Sequence, residues 1–355
     1  MTLLVYGADG IVGEHVARAA VERGWDPILA GHDGDTLRDI GRDLRCSVRE
    51  FPLQPPETVA ASVRDIDAVL NCAEPFTATA EPLVTACLDA GTDYLDVTGA
   101  VPVLAALVNR DEAASTAGVS LLPGVGFDVV PTDCLAARLL ERRPDATTLA
   151  LGIDADGGSR GTDAAAVRGF GEGVVVREDG RLVRRSVAGE RHTIDFGRGP
   201  CPAVTVPGGD VVTAAHTTGV EHVTVYTAVS REVRRALRLS GPIGPLLRTR
   251  LVRFLFDRLV AARVDEPTAA ERAENRAVVW GEVQTESGET VVERLETPDP
   301  HDLTAETALA AAERVLDDDA PAGFNTPAAA FGSTFVDGVD GVVWNRRDGA
   351  DAYSS

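Results

Sequence analysis

A short apolar run that ends in a glycine turn constrains this chain more than any other feature. Thr2-Leu3-Leu4-Val5-Tyr6 has the length and composition of a buried strand. Gly7-Ala8-Asp9-Gly10-Ile11-Val12-Gly13 follows, and from Glu14 to Arg23 the residues Val16, Ala19, Ala20 and Arg23 recur at helical spacing. Strand, glycine turn and helix in that order are the context a dinucleotide fingerprint requires. The spacing is G-x-x-G-x-x-G, a variant of G-x-G-x-x-G with the same physical logic. Gly7 permits the tight turn, Gly10 lets backbone N–H groups approach a pyrophosphate, and Gly13 lets helix and strand pack closely. Glycine turns also serve structure alone, so the motif takes its weight from this context.

The alternation continues. Strands are expected at 27–30, 47–51, 68–71, 94–97 and 119–122, with helices at 36–44, 55–63, 81–90 and 101–117 between them. Such alternation implies an α/β fold whose N-terminal part is a Rossmann domain, a doubly wound parallel sheet, over residues 1–126. Ligands of such sheets sit at the carboxyl ends of the strands. Those ends are Gly7 to Gly13, Gly31-His32-Asp33, Asn71-Cys72-Ala73-Glu74 and Asp96-Val97-Thr98-Gly99. On this basis Gly7, Ala8, Gly10, Ile11, Val12, Gly13, Gly31, His32, Asn71, Cys72, Ala73 and Thr98 are the expected cofactor contacts. An acid at the second strand's end would accept the ribose 2′-OH of NAD, and a cation would favour the 2′-phosphate of NADP. His32 favours NADP, Asp33 and Asp35 oppose it, and NADP is the expected cofactor with NAD as the alternative.

Residues 127–302 read as a second, α+β domain with a mixed, largely antiparallel sheet. Strand patterns at 148–153, 173–178, 181–186, 193–196, 220–230, 278–285 and 289–296 are separated by glycine and proline clusters. A strong helical pattern spans 303–316 in a C-terminal segment, 303–336, and residues 337–355 read as a polar tail that frays.

Composition removes several chemistries. All 34 basic residues are arginine, so Schiff-base catalysis, a Walker-type lysine and a Tyr-x-x-x-Lys dyad are excluded. A net charge of −21 opposes nucleic acid as a partner and, with the missing lysine, points to a salt-rich cytoplasm or a high-GC genome. Five widely spaced cysteines without C-x-x-C imply reduced thiols in the cytoplasm. The start of the sequence does not resemble a signal peptide, and no run of about 18 uncharged apolar residues offers a membrane span. The six histidines are scattered and none stands in H-x-x-x-H, so no metal is expected.

Four stretches carry a family resemblance: Gly7 to Gly13, Asn71-Cys72-Ala73-Glu74-Pro75-Phe76, Tyr94-Leu95-Asp96-Val97-Thr98-Gly99 and Pro123-Gly124-Val125-Gly126-Phe127-Asp128. They resemble the saccharopine dehydrogenase-like oxidoreductases, nearest the branch of the trans-acting enoyl reductases of mycobacterial lipid synthesis. The likeness continues through Gly158-Ser159-Arg160-Gly161-Thr162, Gly209-Asp210-Val211, His216-Thr217-Thr218-Gly219 and Gly323-Phe324-Asn325-Thr326-Pro327. It implies an NAD(P)H-dependent oxidoreductase reducing a hydrophobic or lipid-like acceptor, with a helix near 303–316 returning to the first domain. The alternatives are a saccharopine-type dehydrogenase acting on an amino-acid imine and a dinucleotide-binding sensor without turnover. The chain departs from the family in His32, where arginine is usual, and in Glu74, where glycine is usual.

No pair of residues stands at a spacing diagnostic of acid–base work. Asp128, His216 and Tyr94 are the candidate proton donors, and Phe127, Asp128, Asp133 and Arg160 the candidate substrate contacts. Asp128 and Asp133 serve equally well as helix caps in this reading. One more segment stands out. Residues 231–263 hold nine arginines against Glu232 and Asp257, a local net of +7, interleaved with leucine and phenylalanine. A basic amphipathic hairpin of this kind suits a peripheral contact with an anionic membrane, the protein's own acidic surface or a homodimer interface. The expected partners are thus a small-molecule or lipid substrate and a second copy of the chain, in the cytoplasm or at the inner membrane surface.

Overall fold

The apolar runs at 3–6, 28–31, 68–71, 93–96 and 120–122 do become strands, because each is short, bounded by turns and covered on both faces. The structure is a computed structural model and describes residues 1–155, 173–185, 192–229 and 275–346. The chain forms two compact units. Met1–Cys134 and His301–Val339 make the first, Leu135–Pro300 and the segment from Asp340 the second.

In the first unit the order is β1 (Leu3–Tyr6), α1 (Ile11–Glu22), β2 (Ile28–Gly31), α2 (Gly34–Leu44), β3 (Val48–Glu50), α3 (Pro56–Val63), β4 (Ala68–Asn71), α4 (Phe76–Ala90), β5 (Asp93–Asp96), α5 (Val101–Val108), α6 (Asp111–Ala117) and β6 (Ser120–Leu122). α7 (Val130–Arg142) then carries the chain toward the second unit. The sheet is parallel throughout, and its spatial order, apart from one late edge strand, is β6-β5-β4-β1-β2-β3. The order reverses between β1 and β4, which register Val5 on Leu70 and Tyr6 on Asn71. That reversal opens a crevice at the carboxyl ends of β1 and β4, where doubly wound sheets bind ligands. Leu4, Leu70, Leu83, Tyr94, Leu107 and Leu121 fill the core, each fully or almost fully buried. A buried leucine of this kind contributes about 1.5–3 kcal/mol.

Two helices differ from expectation. α4 begins at Phe76 and not at Glu81, so Pro82, which resembles a first-turn residue, sits inside the helix without a backbone donor. The single helix expected over 101–117 is two, broken at Asn109-Arg110. Asn109 turns its side chain back to the Ala105 carbonyl. Asp111 opens α6 and accepts the Phe324 N–H at 2.8 Å, which fixes the break.

The second unit contains β7 (Ala146–Ala155), β8 (Val174–Glu178), β9 (Arg181–Arg185), β10 (His192–Asp195), β11 (Pro200–Thr205), α8 (Asp210–Thr218), β12 (His222–Ala228), β13 (Ala277–Thr285) and β14 (Thr290–Thr297). Its sheet runs β10-β11-β12-β7-β13-β14 and is antiparallel except for the β12–β7 pair, with the β8–β9 hairpin attached to β12. Sequence periodicity missed β11 because Pro200 and Pro202 argue against a strand. It is held between Ile194, opposite Cys201, and Thr227, opposite Val204. Gly281 of β13 lacks a Cβ where Leu135 and Leu139 of α7 press on the sheet. Glu293 is buried between the guanidinium groups of Arg138 and Arg142.

After β14 the chain returns to the first unit through α9 (Pro300–Leu316), β15 (Gly323–Phe324) and α10 (Pro327–Phe331). β15 pairs with β6 and extends the parallel sheet to seven strands. Leu303, Ala308, Leu309, Ala312 and Val315 form the buried stripe of α9, and Thr307 donates to the Val125 carbonyl at 2.7 Å. The tail from 337 does not simply fray. Val343–Arg346 forms β16 on β14, and the Arg138 guanidinium lies 4.3 Å from the Trp344 ring centroid. A strand of only four residues beside polar neighbours is too short for its pattern to register in sequence.

Candidate dinucleotide site

The glycine turn is built as the sequence implies. Gly7 has φ +87°, and a Cβ there would come within 2.6–2.8 Å of Ala73, so the turns after β1 and β4 touch. A Cβ on Gly13 would lie 2.1 Å from the Gly7 carbonyl oxygen, which is why only glycine lets α1 pack on the turn. Gly10 is different. It is exposed, its φ of −105° suits any residue, and a Cβ would meet only the Gly7 oxygen at 3.3 Å. No side chain caps α1, so its first N–H groups face outward beside Gly10. Ile11 is 60% exposed at that same edge, the largest apolar exposure after Met1 among the described residues. Gly7, Ala8 and Gly13 are buried and shape the turn; Gly10, Ile11 and the half-buried Val12 form its outer surface.

At the end of β2, Gly31 is buried and His32 is exposed. Asp33 does not point at a ligand: it caps α2, accepting from Asp35 N, Thr36 N and the Thr36 hydroxyl. Those bonds, the Thr36 hydroxyl first, hold its carboxyl below the usual range. Asp35 pairs with Arg38. The acid at this corner is instead Asp9, from the glycine turn itself, which sequence reasoning passed over because it lies 24 residues from Asp33, whose N–H it accepts. The spacing of the motif draws attention to its glycines, and no local signal marks where the intervening side chain goes.

The ends of β4 and β5 are held by a buried network. Asn71 accepts the Ala73 N–H and donates to Thr79 and to the Tyr94 phenol. Tyr94 donates to Asp96 Oδ2 at 2.9 Å, and Asp96 Oδ1 accepts from Thr98 N and Gly124 N at 3.0 Å each. Tyr94 and Thr98 are fully buried, and their hydrogen bonds to Asn71 and Asp96 hold the ends of β4 and β5 in place. Burial pushes the Tyr94 phenol well above its ordinary value. Cys72 is buried too, and its thiol is pushed up to about 12, which leaves it inert. Burial also pushes the Asp96 carboxyl up to about 6 despite three hydrogen bonds that oppose it. An acid raised in the folded state stabilises the fold while protonated and loses that contribution as pH rises through its folded pKa. The stability of the protein relative to its Asp96→Asn variant is therefore expected to fall by about 2 kcal/mol between pH 4 and pH 6. Denaturant titrations at four pH values check this, and a pH-independent difference would contradict it.

Residues 3–122 match the family described as saccharopine dehydrogenase NADP binding domain. The match lies within the first unit and covers about a third of the chain. Beyond it, a trans-acting enoyl reductase of Mycobacterium leprae is 30% identical over 148 residues, covering 39% of this chain and 35% of the relative. A trans-acting enoyl reductase of Mycobacterium tuberculosis is 31% identical over 149 residues, with the same coverage. The chain thus matches about a third of the length of these curated relatives. The solved structure of apo saccharopine dehydrogenase (L-Glu forming) from Saccharomyces cerevisiae superposes with a TM-score of 0.68 at 11% identity, covering 98% of this chain and all of that one, and so shares its fold.

In the first unit, beyond the matched residues 3–122, Asp128 comes within electrostatic reach of His301 and of Glu74. Asp128 is exposed, and its side chain rests on Gly99, where a Cβ would meet it at 2.8 Å. The surrounding protein desolvates the Asp128 carboxylate and lifts its pKa above the usual range; Glu74 adds to this and His301 opposes it. Glu74 is itself exposed, directly after the half-buried Ala73. The neighbouring candidates have other duties. Phe127 is buried and donates its N–H to Thr304 of α9 at 3.0 Å. Asp133 is fully buried in α7 and accepts the Ala328 N–H at 2.8 Å, so it secures α10 and is withdrawn from a substrate. His216 lies on the exposed side of the last turn of α8 in the second unit, on a helix and not beside a strand. Arg160 and the basic segment 231–263 lie outside the described residues.

Proposed function

We propose that the protein is an NADPH-dependent reductase of a hydrophobic or lipid-like acceptor, acting on an enoyl C=C bond. The observation that carries this reading is the glycine turn at the β1–β4 reversal, with Gly10 open, the α1 N–H groups outward and Ile11 exposed beside them. These residues suit a dinucleotide: Gly10 and the start of α1 would hold the pyrophosphate, His32 the adenosine ribose end, and Ala73 with Ile11 the rim of the nicotinamide. A bound nicotinamide supplies hydride chemistry. An acceptor that takes a hydride also needs a proton, and Asp128 is an exposed acid that keeps its proton to higher pH than an ordinary carboxyl. The likeness to trans-acting enoyl reductases supports the C=C assignment over an imine.

The missing lysine and the charge of −21 support work in a salt-rich cytoplasm, and the composition of 231–263 supports contact with an anionic lipid surface. Among the described residues no helix is long and apolar enough to cross a membrane. The test is NADPH oxidation in the presence of prenyl, long-chain enoyl and imino-acid acceptors. Turnover with an enoyl or prenyl acceptor is the expected outcome; turnover with the imino acid alone would replace the reading with a saccharopine-type dehydrogenase.

A further inference from the structure

The corner at the end of β2 brings a carboxylate from the glycine turn against an exposed imidazole. The Asp9 side chain is only 8% exposed. Its Oδ2 stands 3.2 Å from His32 Nδ1 and accepts the Asp33 N–H at 3.0 Å. Its Oδ1 occupies the space over Gly31, where a Cβ would come within 2.3 Å. A carboxylate thus occupies the corner at which an acid accepts a ribose 2′-OH, although it arrives from the glycine turn and not from the strand. The imidazole lies outside it, 82% exposed, with the Nδ1 edge toward Asp9.

The other titratable groups around this corner make its field acidic. Asp33 is committed to capping α2, and Asp35 and Glu50 both pair with Arg38. The Glu50 carboxylate lies against Gly34, and Tyr6 beneath Asp9 stays neutral, its phenol pushed up to about 12. Four acids (Asp9, Asp33, Asp35, Glu50) against one arginine leave −3 before His32 is counted. A 2′-phosphate, with its charge near −2, is repelled by such a corner unless His32 carries a proton. A neutral His32 keeps its proton on Nδ1, facing the carboxylate, and presents a bare Nε2 acceptor outward. That surface suits a hydroxyl. A protonated His32 offsets Asp9 and presents Nε2–H, which suits a phosphate oxygen.

We propose that the Asp9–His32 pair selects between the two nicotinamide dinucleotides by its protonation, taking NADP(H) when His32 is charged and NAD(H) when it is neutral. Asp9 is the specificity-determining residue and His32 the titrating one. The inference rests on the reading of this unit as a dinucleotide site. It also separates this chain from a site built on a permanent arginine charge, which would hold the phosphate at any pH.

The experiment is equilibrium binding of NADPH and NADH to the full chain by nucleotide fluorescence, from pH 6 to pH 8 at fixed salt. NADPH affinity is expected to fall about tenfold over that range, the consequence of one imidazole proton taken up on binding, and NADH affinity to change less than about twofold. The 2′-phosphate's own second proton works the other way, since the dianion becomes more abundant as pH rises. A fall is therefore diagnostic of the protein's group. In His32→Gln the NADPH-to-NADH ratio is expected no longer to fall as pH rises. In Asp9→Asn, NADPH is expected to bind more tightly at pH 8 than to the parent and NADH more weakly. Parallel pH profiles for the two nucleotides in the parent, or a fall in NADPH affinity with rising pH that survives in His32→Gln, would overturn the selector. Failure of both nucleotides to bind at any pH would overturn the dinucleotide reading beneath it.

Discussion

Gly10→Val is expected to fold normally and lose nicotinamide dinucleotides, whereas Gly13→Ala, a smaller change three residues on, is expected to damage the fold itself. The contrast follows from what each Cβ would meet. At Gly10 the backbone is extended and the space outside is open apart from one carbonyl oxygen at 3.3 Å. A valine there costs the empty protein little, but its methyl groups stand where backbone N–H groups must approach a pyrophosphate. Binding of NADPH and NADH is expected to weaken about 100-fold, roughly 3 kcal/mol, with the thermal midpoint nearly unchanged. At Gly13 the added carbon would sit 2.1–2.9 Å from Gly7 and Ala8, all backbone atoms of the turn it must pack on. Nothing there can rotate away, so α1 has to move off β1, at a cost of about 1–3 kcal/mol or more. Thermal unfolding and nucleotide titration of the two variants separate the effects. Unimpaired binding by a folded Gly10→Val protein would remove the glycine turn from the site.

The parts of this molecule that were legible in sequence are those governed by local pattern. Buried parallel strands read as short apolar runs, and the turn after β1 read as a ligand turn because its glycines stand between a strand and a helix. Where long-range contacts decide, the reading failed in identifiable ways. Asp111 breaks the expected helix at Asn109-Arg110 in order to bind Phe324, a residue more than two hundred positions away. Asp133 looked like a substrate contact and is spent on Ala328. Tyr94 looked like a proton donor, but its phenol is locked between Asn71 and Asp96 in the interior. The ribose corner holds a group that local pattern does not reveal: no acid ends the second strand, but Asp9 reaches over Gly31 and supplies one. Each failure concerns a polar side chain whose partner is distant in sequence, the information that periodicity does not carry.

Asp128 is a candidate acid that the fold leaves accessible, and Asp128→Asn is expected to lower kcat for the reduction by about 10²–10⁴-fold with little change in KM for NADPH. The amide keeps the shape of the carboxyl and its place against Gly99 but has no proton to give. The pH profile provides the sharper readout. An acid that must be protonated makes kcat fall as pH rises through its pKa, and desolvation with the Glu74 charge places that limb above the range of an ordinary carboxyl. Glu74→Gln removes one of the two raising causes while leaving Asp128 in place, so the limb is expected to move to lower pH with the low-pH plateau retained. A residue that merely shaped the pocket would move neither limb nor plateau in this pattern. Removal of the His301 charge works with the opposite sign: His301→Gln deletes the neighbour that lowers the Asp128 pKa, and the limb is expected to move upward. An unchanged limb in both Glu74→Gln and His301→Gln, together with full activity of Asp128→Asn, would assign the proton to solvent and leave Asp128 as a surface carboxylate of the domain.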